Sequence, residues 1–119
     1  MPAVSVITPA YNAAEFVAQT IESVRAQTFE DWELVIVDDG STDATYERAA
    51  ELEGRYGGVS VRVVSKANAG KANALNTGIA LARTPFVLCM DGDSRLGADT
   101  LRAAMRHFTD PRVGAVAGN

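Results

Sequence analysis

Short β-branched and apolar runs alternate along this chain with stretches whose apolar residues recur at helical spacing. The runs are VSVIT at 4–8, WELVIV at 32–37, VSVRVV at 59–64, FVLCM at 86–90 and VGAVA at 113–117. Continuous apolar runs of this length suit strands covered on both faces. Between them, Val17, Ile21 and Val24 mark a first helix, which Asn12 can cap with Glu15 three residues later. A second pattern, 43–52, is the least apolar and is expected on the outside. Leu75, Ile79 and Ala82 mark a third helix, and Leu101, Met105 and Phe108 a fourth. Strand–helix alternation with short connections predicts an α/β fold, a mostly parallel sheet with right-handed crossovers. Gly54 and the pair Gly57 and Gly58 read as turn residues at a helix end.

Composition narrows the classes. The chain has 119 residues, 47% of them hydrophobic, enough for one core. A net charge of −4 argues against nucleic acid as a partner, because backbone binding needs a basic face. No run approaches the roughly 20 apolar residues of a membrane span. The single cysteine, Cys89, excludes an internal disulfide and reads as a small buried hydrophobe. His107, on the fourth helix, reads as a surface or packing residue.

Ligands of open parallel sheets bind beyond the carboxyl ends of the strands, so the chemistry should lie in the loops that follow them. Those loops are polar: TPAYN at 8–12, DDGSTD at 38–43, KANAGK at 66–71 and DGDS at 91–94. Asp91 and Asp93, separated by a glycine that permits a turn, offer two hard carboxylates to one cavity, which suits Mg²⁺ or Mn²⁺ completed by diphosphate oxygens and water. The same four residues would also make an ordinary turn capping the next helix. Asp38 or Asp39 can accept the N3–H of a uracil ring, a charge-assisted bond of roughly 1.5–3 kcal/mol. Asp43 fits the first turn of the second helix instead. Tyr11 can pack against a base or into the core. Lys71 opens the third helix, where free N–H groups favour anions, and can serve a diphosphate or the base. The other arginines and lysines flank helices or face solvent by pattern and are assigned no chemistry.

The motifs at 4–12, 37–43 and 91–93, in this order and spacing, resemble family 2 glycosyltransferases of the Rossmann-like GT-A fold, over nearly the whole chain. The resemblance implies a sheet of order 3-2-1-4 flanked by helices. It implies that Thr8, Pro9 and Tyr11 line the nucleoside pocket, that Asp38 or Asp39 reads uracil, that Asp91 and Gly92 meet the ribose or the metal, and that Asp93 ligates the metal. The segments at 70–78 and 113–119 resemble the membrane-embedded polysaccharide synthases, among them chitin, hyaluronan and poly-N-acetylglucosamine synthases. These polymerise UDP-sugars on the cytoplasmic side of the cell membrane. Many non-processive relatives carry Ala-Arg-Asn where this chain has ANALN at 72–76.

That resemblance implies inverting, metal-dependent transfer from a UDP-sugar to a saccharide acceptor. The metal would neutralise the leaving diphosphate, and a general base would activate the acceptor hydroxyl. No unassigned acid has the context of a base, and the family places its base beyond the stretch corresponding to Asn119. Residues 1–119 are therefore expected to be the donor-binding part of a truncated domain, binding donor without turnover. A phosphatase of the haloacid dehalogenase type also places Asp-x-Asp after an apolar strand, but usually at the start of the chain and without an arginine where Arg95 stands. A receiver domain has its paired acids after the first strand, where this chain has Thr8 and Pro9. A non-catalytic nucleotide-sugar-binding or regulatory module is the remaining alternative.

Overall fold

The computed structural model describes residues 3–117. Its centre is a five-stranded sheet of β1 (Val4–Ala10), β2 (Trp32–Asp39), β3 (Gly54–Tyr56), β4 (Val59–Lys66) and β5 (Phe86–Cys89), in the order β3-β4-β2-β1-β5. Only β3 is antiparallel to its neighbour. Without β3, the order is the expected 3-2-1-4. Every residue of β1 and β2 is buried, the consequence of a position inside the sheet with helices on both faces.

Four helices cover the sheet: α1 (Val17–Arg25), α2 (Thr45–Ala50), α3 (Lys71–Leu81) and α4 (Thr100–Arg106), the last continued by a 3₁₀ turn (His107–Thr109). Val17, Ile21 and Val24 of α1, Ala49 of α2 and Leu101 of α4 join Val4, Val6, Leu34 and Ile36 in the larger core. On the other face α3 covers Ile7, Val35 and Val37 through Ala74. Among the described residues, no helix is long and apolar enough to cross a membrane.

Several expectations are corrected. Residues 113–117 form no strand. Their apolar character suits a sheet, but a strand exists only where a neighbour completes its ladder, and none of the described strands pairs with them. Gly54 does not end a helix; it opens β3, and Gly57, at φ +66°, turns the chain into β4. A three-residue strand carries too little pattern to be seen in advance. Asn12 does not cap α1, which begins five residues later without a side-chain cap. In α3 the inward positions are Ala74 and Gly78, whereas Ile79 is exposed. The helix lies so close to the sheet that a Cβ on Gly78 would sit 2.4 Å from Cγ2 of Ile7. Only the smallest residues fit beneath it. Cys89 is exposed, because α3 lies over β1 and β2 and leaves the outer face of β5 uncovered. Partial desolvation still raises its thiol pKa, outweighing the pull of Lys71.

A buried ionic cluster anchors the lower sheet. Glu33 is 1% exposed on the α3 face, where it accepts hydrogen bonds from the Ser5 hydroxyl at 2.5 Å and the Arg83 N–H at 2.9 Å. The guanidinium groups of Arg83 and Arg62 lie 3.3 and 3.8 Å from Oε1. Arg62 is thus committed to Glu33 and not free in solvent. Burial alone would raise the Glu33 pKa, but the two hydrogen bonds and two positive charges hold it below the usual carboxylate value.

Candidate functional site

The order β4-β2-β1-β5 places the reversal of strand order between the parallel β1 and β5, and a cleft of about 450 Å³ opens at their carboxyl ends. Pro9 to Ala13 form one wall, Asp91 to Asp93 a second, and Asp39, Asn68, Gly70 and Lys71 a third. Four loops distant in sequence meet here because each follows a parallel strand.

The turn after β5 is set by space. Gly92 is not in the left-handed region; a Cβ on it would come within 2.9 Å of the Ala10 Cβ and 3.1 Å of the Pro9 carbonyl oxygen. The Gly92 N–H donates to that same carbonyl at 3.1 Å. The glycine lets the chain press against the end of β1, which leaves the flanking Asp91 and Asp93 exposed at the mouth. From below, the buried Thr20 hydroxyl lies 3.0 Å from the Gly92 carbonyl oxygen and 2.6 Å from that of Ser94, fixing the turn to α1.

Lys71 reaches across the cleft and places its ammonium 2.5 Å from Asp91 Oδ1. The hydrogen bond and charge of Asp91, with a smaller contribution from Asp93, raise the lysine pKa. A cation thus already stands against one of the paired carboxylates. Among the described residues, no cluster of three or more His, Cys, Asp or Glu side chains could enclose a metal. The two-carboxylate donor set fits a hard divalent ion that takes its other ligands from phosphate and water.

The two acids after β2 have different surroundings. Both are 3% exposed, but Asp38 accepts the Ser41 hydroxyl at 2.5 Å and is not part of the cleft lining. Ser41 in turn accepts the Asn12 N–H at 2.9 Å, while the Asn12 side-chain oxygen accepts the Thr42 N–H at 2.8 Å. Asn12 adopts φ +49° to do this, so it clasps the loop after β1 to the loop after β2. Asp39 instead lines the cleft. It accepts Lys66 Nζ at 3.1 Å and the Ala69 and Gly70 N–H groups at 3.0 Å each. Burial raises its pKa, but these three donors more than offset it and hold the carboxyl ionised. A fourth donor, Asn68 Nδ2, lies at the longer distance of 3.5 Å, so a ligand N–H would reach this carboxylate, with its roughly four acceptor positions, by displacing that contact.

Tyr11, 52% exposed, lies along the cleft and outside the core. Pro9 lines the cleft, whereas Thr8 is fully buried beneath it, its hydroxyl without a hydrogen-bond partner. Thr8 and Asp38 are therefore the two candidate residues that do not reach the cleft surface. Asp43 stands just before α2, where its carboxylate accepts the Thr45 N–H and hydroxyl and lies 3.3 Å from the Ala14 N–H, bonds that lower its pKa. The sequence pattern read Asn12 as a helix cap and gave Thr20 and Asn68 no role. Asn68 donates to the Asp39 carbonyl at 2.9 Å, and its backbone nitrogen would be 2.6 Å from a Cβ on Gly40. Their polar character was visible; the contacts depend on which loops the sheet brings together.

The model of the family described as Glycosyl transferase family 2 matches residues 5–119. The chain is 36% identical over 110 residues to poly-beta-1,6-N-acetyl-D-glucosamine synthase of Staphylococcus aureus (strain COL), covering 92% of this chain and 26% of that protein. It thus spans about a quarter of that relative's length. Among solved structures, the mannosyltransferase PcManGT from Pyrobaculum calidifontis, in complex with GDP-Man and Mn²⁺, matches with a TM-score of 0.85 at 32% identity, over 95% of this chain and 34% of that one. S. aureus TarS 1–349 in complex with UDP-GlcNAc matches with a TM-score of 0.78 at 28% identity, over 91% and 31% of the two chains.

Proposed function

The chain belongs to glycosyl transferase family 2, and from that premise we propose that residues 1–119 are the donor-binding part of an inverting glycosyltransferase that moves a sugar from a UDP-sugar to a saccharide acceptor. UDP-N-acetylglucosamine is the first donor to test, since TarS is described in complex with it and the S. aureus synthase is named for its polymer. The observation that carries the reading is the convergence of Asp39, Tyr11, Lys71, Asp91 and Asp93 on one cleft at the switch point of the sheet.

In this reading the base lies along Tyr11 and gives its N3–H to Asp39, displacing the long contact from Asn68. Asp91 and Asp93 hold a divalent ion, Mg²⁺ or Mn²⁺, which when bound neutralises charge on the diphosphate. Mn²⁺ in the PcManGT complex supports that choice. Lys71 and the first turn of α3 add positive potential on the same side. Asp39, Asp91 and Asp93, the carboxylates of the cleft, all have donor-side roles, so none of them is assigned as the base that activates the acceptor. The resemblance to polysaccharide synthases supports, as part of the same proposal, a whole protein working at the cytoplasmic face of the cell membrane.

The test is calorimetric titration of UDP in the presence of Mn²⁺ for the wild type and Asp93→Asn. Loss of a metal ligand should weaken binding by more than about tenfold, since even partners behind the ligands are commonly worth that much. The melting temperature without ligand should not change, because Asp93 is exposed. Unchanged affinity would remove Asp93 from the site.

A further inference from the structure

Lys71 is the first residue of an 11-residue helix, and the backbone that carries it is fixed: the two N–H groups immediately before it, those of Ala69 and Gly70, are both held by the buried Asp39. Its mobile part is the four-carbon side chain, which ends in a compact point charge. That charge lies 2.5 Å from Asp91 Oδ1, on one of the carboxylates that would hold a divalent ion. Both partners are more than half exposed, so the contact is not enforced by packing. An ammonium and a divalent ion held by one carboxylate would repel each other, so the two compete for Asp91.

We propose that Lys71 is a tethered counter-cation that occupies Asp91 while no donor is bound, so that the carboxylate pair takes up metal efficiently only when a nucleoside diphosphate draws the ammonium away. This rests on the donor-site reading above and adds an order of events to it. With no ligand, the lysine neutralises one carboxylate and competes with metal. When diphosphate enters beside the start of α3, its oxygens attract the ammonium, Asp91 is released, and the metal binds between carboxylates and phosphate. Metal and nucleotide then bind with positive coupling, and by linkage each strengthens the other by the same factor.

The experiment is Mn²⁺ binding, measured by the electron paramagnetic resonance signal of the free ion, for the wild type, K71M, K71R and D93N, and for the two double variants pairing D93N with K71M or K71R. Without nucleotide, K71M should bind Mn²⁺ about fivefold more tightly than the wild type, the scale of an exposed ion pair removed. K71R, which keeps the charge, should stay near the wild type. With saturating UDP the advantage of K71M should vanish or reverse, since the lysine then serves the phosphate. Wild-type-like or weaker binding by K71M without nucleotide, while D93N still abolishes binding, overturns the counter-cation and leaves the metal site standing. Mn²⁺ affinity insensitive to D93N in every background overturns the site itself. K71Q, with a polar neutral side chain, repeats the test should K71M lower the melting temperature.

Discussion

At Asp39 the same carboxylate organises a loop and faces the cleft. Its neighbours hold it ionised, so it can only accept hydrogen bonds. A base with a ring N–H should therefore bind better than one without. UDP should exceed CDP by about 1–3 kcal/mol, the cost of opposing a buried acceptor with the unprotonated N3 of cytosine. Asp39→Ala should erase that preference, and competition titrations with the two nucleotides decide it. Equal affinity would exclude Asp39 as the reader of the base. The choice between Asp38 and Asp39 was not available from their adjacency. It depends on strand alternation, which turns one acid toward Ser41 and its neighbour toward the loop at 66–70. The depressed pKa values of Glu33 and Asp39 also set a pH response. The unfolded chain binds protons at these groups before the folded one does, so their stabilisation is present above the unfolded values near 4.5 and 3.8 and is lost as pH falls through the lower folded values. Melting temperature should fall below about pH 4.5, and the fall should be shallower in Glu33→Gln than in the wild type. An identical acid limb in that variant would remove Glu33 from the account.

Among the elements, α3 and the turn after β5 show why glycine and threonine were hard to read. The periodicity of Leu75, Ile79 and Ala82 predicted an apolar face, and Leu75 and Ala82 do pack partly buried against the core, but the fully buried positions are the small ones, Ala74 and Gly78, because closeness to Ile7 and Val37 decides what fits. A Cβ at 2.4 Å must displace its neighbours. Gly78→Ala should destabilise the fold by about 1–3 kcal/mol, the usual cost of overpacking, despite the gain in helix propensity. A variant as stable as the wild type in urea denaturation would show that α3 can shift away freely. Thr20 carried no signal beyond a polar residue on an apolar helix face. Its hydroxyl ties α1 to the metal-side turn, so Thr20→Val should cost about 1–3 kcal/mol for the unsatisfied carbonyl groups. It should also weaken metal-dependent nucleotide binding. Binding equal to wild type after correction for stability would make the contact purely structural.

For the whole molecule, the alternation of runs gave the parallel sheet and the edge at which the loops converge, because burial on both faces writes itself into uninterrupted apolar strands, whereas the strand order came from the family resemblance. The segment at 113–117 shows the limit of that logic, since an apolar run is a strand only where a partner strand runs beside it. Convergence of the cleft residues was legible for the same topological reason, whereas their mutual bonds were not. The central claim is that this cleft takes a nucleoside diphosphate through a metal. Its most direct test is the melting temperature of the wild-type chain with UDP, in Mn²⁺ and in EDTA. Saturation at about a hundredfold above Kd should add about 2.7 kcal/mol, a rise of roughly 10 °C or more for a domain of this size. The account predicts that rise with Mn²⁺ and little or none with EDTA; equal shifts in both would contradict it.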